Sequence, residues 1–276
     1  MLIKLGKGSK KLAIVNGLHG DEPEGIFIFQ KIVKDLEIIA KENQVEIALI
    51  PMANLEALSM KSRTGADKVD LNRQFTGPIK NKLAKEIYKL IKDYEIIIDL
   101  HTMPNANLDL TGILIEGNKE QNQTNLKLLN GFQIKYAFRA GREKSKAGSL
   151  LQHHINNGKT GIALEIPNLP DIRRNHLNKF LNGVRSIFTT DSLGTGHHIF
   201  IGDREIVQAN HDGLFEPTVF VGEKVKPGQA IGKIISTELK LTNLIVAKGG
   251  IILQLKKRQY LNKDETTLTL LTNHKL

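Results

Sequence analysis

"LAIVNGLHGDEPEGIFIF", residues 12–29, runs from an apolar stretch through a charged turn into a second apolar stretch. Residues 12–18 have the length and composition of a buried strand. From Pro23 to Leu36 the apolar residues Ile26, Phe29, Ile32, Val33 and Leu36 recur at helical spacing. Strand, charged turn and helix in that order are the start of an α/β layered domain, and they place one imidazole and three carboxylates at the end of its first strand.

The pattern repeats along the chain. "VEIALIPMAN" (45–54), "EIIIDLH" (95–101), "TGILIEG" (111–117) and "GIALEIP" (161–167) read as strands, while "KLAKEIYKLIKD" (82–93) and "GSLLQHHINN" (148–157) read as helices. Such alternation argues for a parallel or mixed sheet layered with helices. After about residue 195 the texture changes to short apolar runs separated by Gly, Pro and Asn turns, as in "GLFEPTVFVGEKVKPGQAIGKIIS" and "LIVAKGGIILQLKK". We therefore expect an α/β catalytic domain over 1–195 and a smaller all-β domain over 196–276. Phe27, Phe29 and Phe215 are expected in the core.

Composition narrows the chemistry. The 276 residues, 40% of them hydrophobic, suffice for a sizeable core. With no Cys, disulfides and thiolate metal sites are excluded, so a metal must be held by His and carboxylate. No leader pattern or membrane-length apolar run is visible, and a cytoplasmic location is expected. The net charge of +10 comes from Lys scattered along the chain, with only 5% aromatics. Scattered Lys describes a solvated surface, without the basic and aromatic interleaving of a nucleic-acid partner, and it would attract small anionic substrates. Neither a nucleic acid nor a membrane is expected as partner, and the oligomeric state, a homo-oligomer included, is left open.

In open α/β sheets the working residues collect at the carboxyl ends of strands. His19 lies at one such end with Glu22 three residues on, His101 ends "DLH", and Glu165 lies in "ALEIP". Two imidazoles and a carboxylate form the ligand set of a catalytic zinc with one position open for water, leaving Glu165 free as a base. Between the two histidines, "KSRTGADKVDLNRQF" (61–75) carries Arg63 and Asp70-Leu71-Asn72-Arg73.

H-x-x-E after a first strand, an Arg before D-x-N-R, a strand-end His and a later Glu, in this order over roughly residues 12–170, resemble the succinylglutamate desuccinylase/aspartoacylase family of the zinc carboxypeptidase-like superfamily. The resemblance implies a three-layer α/β/α domain with a mixed sheet and a C-terminal β domain closing over the site. It implies one Zn²⁺ per chain on His19, Glu22 and His101, with Glu165 as general base and Arg63 polarising the scissile carbonyl. Asn72 and Arg73 would grip a substrate carboxylate, Asp70 would hold the far nitrogen of His19, and Tyr260 would reach the substrate from the β domain.

The implied activity is deacylation of an N-acyl amino acid or a similar small carboxylate-bearing amide. A carboxypeptidase acting on short peptides shares every one of these residues, and a catalytically silent binding protein would need neither Glu165 nor Arg63. Ile166 and Pro167 after the Glu, and Thr76 after "NRQF", depart from the family pattern and leave substrate identity open. Arg139 and Arg142 are candidates for a second substrate-binding Arg. The pairs His153-His154 and His197-His198 lack an acid at ligand spacing and are expected to be structural. "GLFEPTVFVGEKVKPGQAIGKI" (213–234) also resembles lipoyl and biotinyl carrier domains, but Lys240 lies one residue from where a modified lysine would be expected.

Overall fold

The computed structural model describes residues 2–103, 106–107, 109–140, 148–167, 172–189 and 199–272. The elements run β1 (Ile3–Leu5), β2 (Lys11–Asn16), α1 (Glu24–Glu42), β3 (Glu46–Ile50), α2 (Leu55–Ser59), a 3-10 turn (Leu71–Arg73), α3 (Lys82–Ile91), β4 (Ile96–Met103), β5 (Ala106–Asn107) and β6 (Thr111–Ile115). They continue as α4 (Lys119–Gly131), β7 (Tyr136–Ala140), α5 (Leu150–Asn156), β8 (Thr160–Pro167), α6 (Arg174–Phe188) and β9 (Phe200–Gln208). The remainder is β10 (Gly213–Pro217), β11 (Lys224–Val225), β12 (Ala230–Ile235), β13 (Leu241–Ile245), β14 (Gly250–Leu255), β15 (Gln259–Leu261) and β16 (Thr266–Thr272).

One mixed sheet has the order β1-β3-β2-β4-β8-β6-β7-β9-β16-β14-β11, with β5 on β14. The central pairs β2/β3, β2/β4 and β4/β8 are parallel, whereas β6 meets β8 antiparallel. Strand alternation sorts its two faces. Leu12, Ile14, Ile98, Leu100, Ile162 and Leu164 pack with α1, α4 and α6 in the largest core. Ala13, Val15, Ala48 and Ile97 face the other way, toward α3 and the first residue of α5. The fold is thus a three-layer α/β/α arrangement about a mixed sheet, with a smaller antiparallel sheet, β13-β12-β10-β15, at the C-terminus.

The expected strands and helices recur with small shifts of their ends. α1 runs on to Glu42, and it buries Ile28, Phe29, Ile32, Leu36 and Ile39, with Ile26 only partly covered. Phe27 corrects the expectation of a core residue: it is 47% exposed on the outer side of α1, whereas Phe29 and Phe215 are buried. Part of the C-terminal region continues the main sheet, because β9 pairs parallel with β7 and carries β16 and β14 behind it. Ile231, Ile234, Leu244 and Phe215 of the small sheet close a core with Ile252, Leu268 and Leu270 of the large one. The expected boundary at 195/196 lies outside the described residues. Among the described residues no helix is long and apolar enough to cross a membrane.

Candidate active site

The site grows from the carboxyl ends of β2, β4 and β8. After β2 the chain turns at Gly17 and presents His19 and Glu22, 3% and 9% exposed. Gly20 lies so close to α2 that a Cβ there would come within 1.9 Å of the Ala57 backbone, so this loop tolerates no side chain at that point. On β4 and β8, His101 and Glu165 are register partners in the parallel ladder. Both lie on the face opposite Leu100 and Leu164, because their neighbours in sequence point into the large core.

Glu22 bridges the two imidazoles: its Oε1 is 2.8 Å from Nδ1 of His19 and its Oε2 is 2.8 Å from Nδ1 of His101. Oε2 also accepts the backbone N–H of Thr102 at 3.1 Å. The ring centroids are 4.9 Å apart. The opposite nitrogens have carboxylates of their own, Asp70 Oδ1 at 3.2 Å from His19 Nε2 and Asp99 Oδ2 at 3.1 Å from His101 Nε2. Each ring so placed can donate from Nε2 to a carboxylate and turn Nδ1 toward a shared point beside Glu22.

His19, Glu22 and His101 have ligand atoms all within 4.8 Å of one another, the one such converging group among the described residues. Buried His–Glu–His donors are the chemistry of a zinc-type site, so the residues fit a divalent metal ion. Without a metal, burial alone would pull His19 down and push Glu22 up; the hydrogen bonds of Asp70 and Glu22 outweigh it at His19, whose pKa is raised. At Glu22 the charge and hydrogen bonds of the two imidazoles hold the carboxyl well below its ordinary range. His101 is raised well above its ordinary value, since Asp99 and Glu22 overcome its burial.

The "DLNR" segment forms the adjacent wall. Asp70 caps the 3-10 turn by accepting the Asn72 N–H at 2.9 Å, and its other oxygen accepts Nε and Nη2 of Arg63 at 3.2 and 3.0 Å. One carboxylate thus holds His19, Arg63 and the turn together; burial works against its charge, yet His19 and Arg63 keep its pKa well below the usual range. Arg63 Nη1 also lies 3.6 Å from Glu22 Oε1. Asn72 accepts the Leu150 N–H at 2.8 Å, and its Nδ2 sits 3.1 Å from His101 Nε2. Arg73 donates Nη1 to the Asn72 carbonyl at 2.7 Å. Gly148, at φ +90°, lets the start of α5 approach, since a Cβ there would lie 2.5 Å from the Arg73 carbonyl oxygen.

These groups open on a cavity of about 470 Å³ that also takes in Glu165, Asp99 and the apolar floor Ile113, Ala140 and Ala163. Burial raises the Glu165 pKa above its ordinary value, the charge of His101 opposing and that of Glu22 adding to it. The far wall comes from the C-terminal strands, with Arg204 on β9, Gln254 on β14 and Thr266 on β16, joined by Lys256 and Glu265, which pair with each other. Asp99 and these wall residues escaped the sequence reading. Asp99 was legible in principle, two residues before His101 on one strand and so on the same face; the wall residues carry no local signal, because pairing across the sheet brings them in.

Not every expected residue is brought to the cavity. Tyr260 on β15 is 54% exposed, pairs with Leu214 of β10 and is not among the lining residues. Arg139 is exposed and borders a separate, smaller hollow with Glu116 and Asn122. Arg142, His197 and His198 lie outside the described residues. His153 and His154 sit on α5 away from the cavity; His153 packs edge-on to Tyr88, and burial pushes His154 down to about 3, so it stays neutral. Lys240 lies at the β12–β13 connection and pairs with Glu238 at 2.6 Å.

Residues 8–190 match the model of the succinylglutamate desuccinylase/aspartoacylase catalytic domain. The N-alpha-acetyl-L-2,4-diaminobutyric acid deacetylase of Halomonas elongata is 26% identical over 253 residues, which cover 84% of this chain and 72% of that protein. In fold, the chain is similar to a succinylglutamate desuccinylase/aspartoacylase from Rhodobacter sphaeroides, with a TM-score of 0.80 at 19% identity over 100% of this chain and 89% of the other. The product-bound ectoine utilization protein EutE (DoeB) from Ruegeria pomeroyi gives a TM-score of 0.80 at 17% identity, covering 99% and 88%.

Proposed function

Because the chain belongs to the succinylglutamate desuccinylase/aspartoacylase family, we propose that it is a zinc-dependent amidohydrolase that deacylates a small N-acyl amino acid. The observation that carries this reading is the convergence of the buried His19–Glu22–His101 set and Glu165 on one cavity. His19, Glu22 and His101 would hold the zinc, which when bound would supply Lewis acidity and lower the pKa of water toward neutrality.

Glu165 accepts a proton as water attacks the amide carbon and returns it to the leaving amine. Arg63 stabilises the developing oxyanion from the wall, its orientation fixed by Asp70. Arg73, with donors to spare beyond its bond to Asn72, takes the substrate carboxylate as a planar fork, and Asn72 orients the turn that carries it. Asp70 and Asp99 fix the tautomers of the two imidazoles.

A small substrate is favoured over a peptide because β9, β14 and β16 wall the cavity off on the side away from the histidines. On this reading residues 196–276 act as the part of the enzyme that limits substrate length. The relative from Halomonas elongata, named as a deacetylase of an N-acetyl amino acid, supports the same reaction class. The test is release of the free amino acid from N-acetyl and N-succinyl amino acids, with short peptides in parallel. Hydrolysis confined to peptides would replace the deacylase reading with the carboxypeptidase one.

A further inference from the structure

A sheet edge is a row of backbone donors and acceptors ready to pair with another strand, and folded chains blunt it with charge, proline or brevity. The strand orders of the two sheets end at β1, β11, β13 and β15. Three of these ends are blunted. β1 has three residues and carries Lys4, which is held by Glu46. β11 has two, Lys224 and Val225, with Pro227 close behind, and β15 has three and follows Lys256-Lys257-Arg258. β13 is the exception. Its sequence "LTNLI" is five residues long with neither charge nor proline, and the bulge in its pairing lies on β12.

The side chains of β13 sort symmetrically about its middle residue. Leu241 and Ile245 are 55% and 53% exposed on the outer face of the small sheet, Leu244 is buried beneath, and Asn243 stands exposed between them. Leu241 also ends an apolar row that crosses the outer face through Ile235, Leu214 and Tyr260, each the register partner of the next. An antiparallel copy of the same strand, centred on Asn243, sets Leu241 opposite Ile245 of the second copy and Ile245 opposite its Leu241. Directly opposed residues share a face, so the apolar row runs on across the join. Slipping the pairing by one residue would set outer side chains against inner ones, and slipping it by two would set Leu241 against Asn243.

Charge agrees with that register. Glu238 lies five residues before Asn243 and Lys248 five after, both exposed, so a two-fold axis at Asn243 turns the acid of one copy toward the base of the other. A net charge of +10 repels a second copy over most of the surface, and the uncharged β13 edge is where approach costs least. We infer that the chain forms a homodimer by antiparallel pairing of two β13 edges about a two-fold axis at Asn243. The contact is isologous and closes on itself, and it is independent of the reaction in the cavity.

The experiment is sedimentation velocity of the full chain from about 1 to about 100 μM, the range in which an interface of this small size should dissociate. The wild type should pass from monomer to dimer across it. Asn243→Lys sets two ammonium groups against each other at the axis, so it should raise the dimer Kd tenfold or more while the melting temperature at the dilute end stays unchanged. Because the chain has no Cys, cross-linking reads the register directly. Under mild oxidation Asn243→Cys should give a disulfide-linked dimer, and Leu241→Cys should link efficiently only when mixed with Ile245→Cys. A wild type that stays monomeric, or a dimer that Asn243→Lys leaves equally tight, overturns the inference. So does an Asn243→Cys protein that fails to link, or a Leu241→Cys protein that links to itself as readily as to Ile245→Cys. Should Asn243→Lys fail to fold, the cross-linking series decides alone.

Discussion

Glu22 touches both histidines, each histidine rests on a further carboxylate, and one of those carboxylates also holds Arg63. Each of these residues therefore has a separable consequence. Glu165→Gln keeps the shape of the cavity but cannot accept a proton, so kcat should fall by about 10²-fold or more with the bound metal unchanged; a near-normal kcat would move the base elsewhere. Asp99→Asn weakens the acceptor behind His101, and competition with a chelator should find zinc held about 10- to 100-fold more weakly. An unchanged affinity would leave Asp99 a packing residue. Of this set the residues in or after the carboxyl-end part of a strand, His19, Glu22, His101 and Glu165, could be singled out in the sequence because apolar runs precede them. Asp99 was legible only through strand alternation, which puts it on the face of His101 two residues on.

At the scale of elements, the site depends on how closely the turns approach the helices. Gly148→Ala would force a side chain onto the Arg73 carbonyl at a backbone conformation that L-residues rarely adopt. The expected cost is about 1–3 kcal/mol, read as a lowered melting temperature together with a raised KM, since the same contact holds the Arg73 turn. A KM shift without loss of stability would mean that the turn is free of α5. The strongly amphipathic segments α1 and α3, and the apolar strands β2, β3, β4 and β8, were legible from spacing alone. The segment of α4 was not, because "KEQNQTNLKLLNG" is mostly polar and its apolar face is weak. Phe27 was misjudged because four consecutive apolar residues, Ile26 to Phe29, span more than one face of a helix. The continuation of the main sheet from β9 into β16 depends on pairings between residues about 60–70 apart, for example Asp203 with Thr272, and spacing along the chain carries no trace of them.

For the whole molecule, metal and proton compete for the same imidazoles. In the metal-free protein His19 and His101 have raised pKa values, so their contribution to stability is complete below about pH 6.5 and is lost progressively as pH rises toward the folded values. Glu22 and Asp70 are depressed, so theirs is present above about pH 4 and is lost on acidification. Zinc binding requires the ligand nitrogens free of protons, and its stabilisation grows with pH. The melting temperature with zinc minus that with a chelator should therefore widen from pH 6 to pH 8; a gap independent of pH would point to ions bound away from the histidines. The most direct measurement is the rate of amino-acid release from an N-acyl amino acid by one preparation, before chelation, after it, and after zinc is restored. Turnover of about 1–10³ s⁻¹ that vanishes with the chelator and returns with zinc is expected, whereas chelator-insensitive hydrolysis, or none on any N-acyl amino acid, would contradict a zinc amidohydrolase built on His19, Glu22 and His101.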